Sequence, residues 1–363
     1  MKILQVINGL DPGGAEKLLL ETIPLYNKKG IEVDLLVLNG KDFPFMQALK
    51  AANCCKIFSL GKTVYNPLNV FKIIPFLKKY DIAHVHLFPS QYWIILSKII
   101  SFSKIKIVVT EHNTTNPRQE KFLLKKIDRL IYKAYNKIIC ISDEVYEIMK
   151  DHLKTSESKL IVIHNGVNLD DINEAQPYEK HKISNLFLDN DILLIQVARF
   201  SKQKAQQTVI NALQYLPENI KLIFVGDGAL QKECEDLVKK LNLANRVAFL
   251  GIRMDVPRLL KTADITVLST NWEGLSLSAI ENMGSGKPFI SSNVPGMLNL
   301  TKGAGILFEK GNHQELAFHI EKLINDNDYY EKIVNSCKNR ARQFDIKSMV
   351  DKHIDLFESM VKE

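Results

Sequence analysis

The chain has 363 residues, 46% of them apolar and 25% charged, with a formal net charge of +7. That length predicts two domains of roughly 100–200 residues each, and the balance excludes a disordered chain, a collagen and a disulfide-stapled mini-protein. Five cysteines, Cys54, Cys55, Cys140, Cys234 and Cys337, make an odd count with no zinc spacing, which reads as buried thiols in a reducing cytosol.

The opening run Met1–Ile7 stops at Asn8-Gly9. That is shorter than the roughly 7–15 apolar residues of a signal peptide. No run of about 18 uncharged apolar residues follows, so no spanning helix is expected. Strands are predicted at Ile3–Ile7, Val33–Leu38, Ile82–His86, Ile105–Thr110, Ile138–Ile141 and Leu160–Ile163. Helical spacing lies between them at Ala15–Lys29, Val70–Lys79, Tyr92–Ile100 and Glu120–Tyr135. Continuous β-branched runs alternating with helices predict a parallel sheet covered on both faces. A polar, turn-rich break then runs from Asn165 to Pro177. The alternation restarts with strands at Ile192–Val197, Leu222–Val225, Val247–Leu250, Ile265–Leu268 and Pro288–Ser291. Its helices are Ala205–Tyr215, Gln231–Leu241, Val256–Thr262 and Ser276–Met283, and Tyr329–Phe344 and Lys347–Val361 close the chain as helices. Two βαβ domains joined near residues 170–180 fit this pattern.

The charge is concentrated. Residues 41–137 hold 17 Lys/Arg against 5 Asp/Glu, a net of +12. Nucleic acid, an anionic membrane or a phosphorylated substrate would each account for it. Tyr92–Ile100, Lys104, Lys106 and Lys121–Lys133 interleave basic, aromatic and aliphatic residues at helical spacing. A helix lies in a membrane interface that way, so contact with an anionic membrane surface through 90–137 is expected. The ordinary alternative is an amphipathic helix packed on the sheet. Nucleic acid is not expected, because no aromatic platform motif or zinc module is present.

Four constellations point to chemistry. Gly13-Gly14-Ala15-Glu16 follows the first strand and opens a helix, where paired glycines admit a phosphate to free amides. The ordinary alternative is a plain βα turn. Arg199 and Lys204 follow the strand Ile192–Val197, at the edge where open α/β sheets bind ligands. Both suit a diphosphate, although most surface cations are merely solvated. Glu273 and Glu281 follow Ile265–Leu268 as Glu-x7-Glu, a loop carboxylate and a second one in the next helix. Carboxylates accept hydrogen bonds from sugar hydroxyls, and the helix start at Leu275-Ser276 suits a phosphate. His84, His86 and His112 stand at or near the ends of two strands, facing a cleft or else serving as structural residues; they lack a carboxylate or thiol at metal spacing.

Together these residues resemble the retaining glycosyltransferases of family 4, over nearly the whole chain. The matching pieces are Gly13-Gly14-Ala15-Glu16, Thr110-Glu111-His112, Asn165-Gly166-Val167, Arg199…Gln203-Lys204, Val225-Gly226-Asp227-Gly228, Leu250-Gly251 and Glu273-Gly274-Leu275…Glu281 running into Met283–Pro288. The resemblance implies a GT-B fold: two Rossmann-like parallel-sheet domains facing each other across a cleft. It divides the chain into 1–172, with the last helix 346–363 packing back on it, and 173–345. It implies a UDP-linked sugar donor, a glycan or lipid-linked acceptor of cell-surface polysaccharide synthesis, no cofactor and no metal. His112, Glu273, Arg199 and Lys204 would be the catalytic set. Gly13, Gly14, Gly251, Arg253, Gly274, Leu275, Ser276 and Glu281 would join Arg199, Lys204 and Glu273 in binding the donor. Ala198 and Ala205 stand where glycine is common, a mild departure. The expected location is cytoplasmic, peripheral on the inner face of the plasma membrane. A sugar-nucleotide 2-epimerase and a catalytically silent scaffold are the rival readings.

Overall fold

Runs of Ile, Leu and Val build two parallel sheets in the computed structural model, which describes residues 1–112, 122–154 and 157–362. The first holds β1 (Lys2–Ile7), β2 (Glu32–Val37), β3 (Ile57–Ser59), β4 (Ile82–His86), β5 (Lys106–Glu111), β6 (Lys137–Cys140) and β7 (Leu160–Val162), in the order β3-β2-β1-β4-β5-β6-β7. The second holds β8 (Ile192–Val197), β9 (Ile220–Val225), β10 (Val247–Phe249), β11 (Ile265–Leu268), β12 (Phe289–Ser292) and β13 (Ile306–Phe308), in the order β10-β9-β8-β11-β12-β13. Every strand pairing is parallel. Each order reverses once, between β1 and β4 and between β8 and β11. Ligands of open α/β sheets bind outside the carboxyl ends of strands at such a reversal.

Both faces of the second sheet are buried, which explains its continuous apolar strands. Leu194 of β8 packs with Phe200, Val209 and Leu213, while Leu193 and Ile195 face Phe187 and Leu259 on the other side. Each such side chain contributes about 1.5–3 kcal/mol on burial.

The chain divides into Met1–Gly166 with Ile346–Glu363, and Val167–Asp345. The boundary therefore falls before the 172/173 junction that the resemblance implies. Leu169 and Ile172 are buried in the second core, and Leu169 packs against Gly284. Val167 N–H donates to the Phe344 carbonyl at 2.9 Å, so the entering and leaving segments run side by side.

The helix expected over Val70–Lys79 is cut into Asn69–Ile73 and a single turn at Phe76–Lys78. Pro75 lacks the N–H that would continue it. The helix expected from Glu120 is described from Phe122 to Lys133; Glu120 and Lys121 lie outside the described residues. Two three-residue edge strands, β3 and β13, were not expected, because so short a run carries no readable period. All five cysteines are free, and Cys140, Cys234 and Cys337 are buried. Among the described residues no helix is long and apolar enough to cross a membrane.

Candidate active site

In the second unit the loops after β8 and β11 are laced together. The Gln203 carbonyl accepts from Asn271 N–H at 2.8 Å and lies 3.0 Å from Thr270 Oγ1. Asn271 Nδ2 donates to the Lys202 carbonyl at 2.7 Å, and Ser269 Oγ donates to the Ala205 carbonyl at 2.7 Å. This brings Lys204 Nζ onto Glu273 Oε1 as an ion pair whose side chains are 13% and 5% exposed. Thr270 Oγ1 donates to the same carboxylate at 2.9 Å and Gln203 Nε2 to its other oxygen at 3.3 Å. A carboxylate anchored on three sides is pre-organised, and the ammonium beside it is held at the reversal point.

Glycines set how closely these loops approach. Gly296 follows β12 at the start of the helix Pro295–Thr301, and a Cβ there would lie 2.6 Å from the Gly274 carbonyl and closer still to that of Glu273. Gly226 has φ of +131°, and a Cβ on it would collide with the Ala198 carbonyl. The backbone before Arg199 thus rests flush on the loop after β9.

The helix Leu277–Gly284 opens behind Glu273 with Ser276 as its cap, Oγ accepting from Ala279 N–H at 3.4 Å. Glu281 lies in its second turn and is buried. Arg199 is exposed at the end of β8. Gly274 and Leu275 are half-buried between Glu273 and the cap. Gly251 carries φ of +63° after β10. Arg253 is engaged within its own loop: its guanidinium grips both oxygens of Asp255 at 2.8 and 2.5 Å, and Tyr178 O–H donates to Asp255 at 2.6 Å. The Arg253 contact holds the Asp255 carboxyl down at about 2.

In the first unit, Gly13 precedes the helix Gly14–Lys28, and the Glu16 carboxylate folds back to where a Gly13 Cβ would stand. Across the reversal, Asn8 Nδ2 donates to the Phe88 carbonyl at 2.7 Å and Ser90 Oγ to Asn8 Oδ1 at 2.9 Å. His112, half-buried just past β5, meets His86 Nδ1 through its Nε2 at 3.1 Å. His86 Nε2 in turn meets Gln5 Oε1 at 2.9 Å, and His84 Nε2 meets Thr110 Oγ1 at 2.7 Å. His353 of the last helix joins them, 5.5 Å from the His84 ring centroid. Burial holds all four imidazoles below their ordinary range, His112 at about 4 and His353 at about 3.

Thr270, Gln203, Gly296, Gln5 and His353 were not singled out from sequence as site residues. The Gly after Pro295 was the one local signal; the others depend on which strands become neighbours. Among the described residues, no group of three or more His, Cys, Asp or Glu is arranged to hold a metal ion.

The sequence was compared with known proteins. The model for glycosyl transferases group 1 matches residues 177–343, and that for Glycosyltransferase Family 4 matches residues 12–171. The chain is 30% identical to the UDP-Gal:alpha-D-GlcNAc-diphosphoundecaprenol alpha-1,3-galactosyltransferase of Escherichia coli, over 87% of this chain and 84% of that one. It is 24% identical to the Campylobacter jejuni N-acetylgalactosamine-N,N'-diacetylbacillosaminyl-diphospho-undecaprenol 4-alpha-N-acetylgalactosaminyltransferase, over 93% and 94% of the two chains. The crystal structure of HepE of Anabaena in complex with UDP-glucose superposes with a TM-score of 0.82 at 22% identity, covering 99% of this chain and 100% of that one. Two parallel-sheet domains, the laced Lys204–Glu273 loops and these matches place the chain in glycosyltransferase family 4, with the GT-B fold.

Proposed function

We propose that this glycosyltransferase moves a hexose or hexosamine from a UDP-linked donor to a lipid-diphosphate-linked glycan, with retention of configuration, in cell-surface polysaccharide synthesis. The buried Lys204–Glu273 pair at the β8–β11 reversal carries the reading. It joins a cation for a departing diphosphate to a carboxylate for sugar hydroxyls. The E. coli relative uses UDP-Gal and a diphosphoundecaprenol acceptor, and HepE binds UDP-glucose, which favours the same donor and acceptor classes here.

Sugar transfer passes through an oxocarbenium-like state while negative charge grows on the leaving diphosphate. Fixed cations and amides aimed at that charge are worth several kcal/mol. Within the second unit Lys204 and Arg199 are assigned that role in place of a divalent ion, so EDTA should leave the rate unchanged. Glu281 holds the ribose hydroxyls, and Gly274, Leu275 and Ser276 present amides to sugar and phosphate. Gly251 and the Arg253 loop border the base. The acceptor hydroxyl attacks from the face the diphosphate leaves, and its proton passes to that diphosphate.

A membrane-borne acceptor also suits the surface. Ile99, Ile100, Phe102, Ile127 and Leu130 are exposed, with Lys104, Lys126 and Lys133 beside them, the pairing an anionic bilayer attracts.

The test is thermal stabilisation by UDP-galactose, UDP-glucose and UDP-N-acetylgalactosamine, then transfer to a synthetic undecaprenyl-diphosphate-linked N-acetylglucosamine with the product anomer read by NMR. A ligand that binds only the native state at 100 times its Kd adds about 2.7 kcal/mol. Absence of both stabilisation and transfer overturns the reading, and an inverted anomer overturns retention. Conversion of the donor without acceptor supports the epimerase instead.

A further inference from the structure

Lysines gather at the amino-terminal edge of the first sheet. β5, β6 and β7 are parallel neighbours, so their first residues share one edge. Lys106 opens β5, Asn136 immediately precedes β6, and Lys159 immediately precedes β7. The helix Ser90–Ser101 returns from β4 and brings Lys98 of its last turn to that edge, with Nζ 3.4 Å from Asn136 Oδ1. Lys159 Nζ donates to the Lys133 and Tyr135 carbonyls at 2.8 and 2.9 Å, at the carbonyl end of the helix Phe122–Lys133. An ammonium has three hydrogens, so one remains for a further acceptor. Lys98, Lys106 and Lys159 are half-buried, and among the described residues none of them forms an ion pair with a carboxylate. Partial burial, and then the charges of Lys106 and Lys159, hold Lys98 below its ordinary range, and burial does the same to Lys159. Like charges are thus held together without a counter-charge. The surface beside them is apolar. Ile99, Ile100 and Phe102 are exposed, Phe102 to 89%. Phe102 ends the helix with φ of +51°, a left-handed cap that glycine ordinarily fills because a side chain strains the backbone there. Neither the cap nor the core calls for a phenylalanine at this position.

We propose that Lys98, Lys106 and Lys159 form a discrete site for the phosphate of an anionic lipid headgroup, with Phe102 entering the acyl boundary beside it. Uncompensated ammoniums next to an outward apolar ring are what an anionic bilayer surface receives. The proposal deepens the reading of a membrane-borne acceptor and rests on it, adding a built site to a general attraction. The site stands at the edge opposite the carboxyl ends of the strands, apart from the loops at the β1–β4 reversal.

The experiment uses the full chain and vesicles of phosphatidylglycerol in phosphatidylcholine, at about 0.15 M salt, where charges more than about 8 Å apart are largely screened. Lys98→Gln and Lys106→Gln should each lower the vesicle partition constant roughly tenfold, and Lys104→Gln, the same charge removed from the exposed turn nearby, less than about threefold. Lys159 is left intact because its amine also holds two helix carbonyls. Phe102→Gly should weaken binding roughly tenfold yet melt at or above the wild-type temperature, since glycine holds a positive φ without strain. Brief acetylation read by mass spectrometry adds a second measurement. Vesicles should protect Lys98 several-fold, and inorganic phosphate at the same phosphate concentration should not. Equal losses for Lys98, Lys104 and Lys106 mean diffuse attraction and overturn the site while the membrane reading stands. Wild type that ignores anionic vesicles overturns both together. Equal protection by inorganic phosphate overturns the lipid assignment, and a lower melting temperature in Phe102→Gly overturns the role given to the ring.

Discussion

Lys204 and Glu273 are opposite charges with almost no water around them. Removing one partner of a buried pair leaves the other unpaired, at a cost of about 3–5 kcal/mol where nothing else compensates. Thr270 and Gln203 still bond Glu273, so Lys204→Ala should lose less, about 1–3 kcal/mol. Transfer should fall at least tenfold in Lys204→Ala and in Glu281→Ala, about 1.4 kcal/mol or more of transition-state stabilisation. Wild-type rates in both folded variants would sink the site assignment. Combining Lys204→Met with Glu273→Gln should recover much of the melting temperature and none of the activity, because the neutral pair needs no counter-charge. Gly296→Ala tests the loop itself. A methyl group there pushes on the Glu273 and Gly274 carbonyls, and steady-state kinetics should show a roughly tenfold loss of kcat/KM with helix content unchanged.

The last helix, Ile346–Lys362, is built to cover the first sheet. It buries Met349, Val350, His353, Leu356, Phe357 and Met360 at helical spacing and ends its unit's core. Its polar anchors include the Tyr26–His353 hydrogen bond, which is shielded from water, and the exposed Lys29–Asp351 pair at 2.6 Å. Tyr26→Phe should cost about 1–2 kcal/mol, read by urea unfolding. The same face makes the fold acid-sensitive. His84, His86, His112 and His353 are held neutral by burial, against an ordinary value of 6.5. The unfolded chain takes up protons below about pH 6.5 that the folded chain refuses, His112 down to about pH 4 and His353 down to about pH 3. Stability from these groups is therefore complete above pH 6.5 and lost as pH falls from there. Each histidine contributes at most about 1.4 kcal/mol per pH unit in that window. Thermal melts should drop between pH 7 and 5, and the slope should flatten when Tyr26→Phe is combined with His353→Phe. An unchanged slope would show that the histidines are already charged in the fold.

Over the whole molecule the positive surplus lies in the first half, and the exposed apolar side chains of the helices Ser90–Ser101 and Phe122–Lys133 lie within it. Asp128 of the second helix is turned inward, bonded by Tyr92 O–H and by His152 at 3.0 Å, while Leu130 is 66% exposed. This helix buries a carboxylate and shows a leucine, so inward packing alone does not explain its pattern. The protein should float with vesicles of anionic lipid at low salt and be released at high salt. Leu130→Ser with Lys126→Glu and Lys133→Glu should abolish flotation while leaving UDP-sugar stabilisation intact. Retention on neutral vesicles at high salt would mean that charge has no part in the contact.

Composition and period alone determined two α/β domains, because a strand buried on both faces must be continuously apolar and a covering helix must not. The Glu-x7-Glu block, Arg199 and Lys204 were legible for a related reason: each follows a strand, and strand ends carry the loops that bind ligands. The joint at Gly166 was misplaced by a few residues, since only packing shows that Leu169 and Ile172 belong to the second core. The contact of Lys204 with Glu273 required β8 and β11 to become neighbours, although 69 positions separate the two residues. The histidine line needed more: Gln5 and His86 are 81 positions apart, and Tyr26 and His353 are 327 apart. Local spacing carries which residues follow a strand. Only the tertiary fold decides which ring faces which.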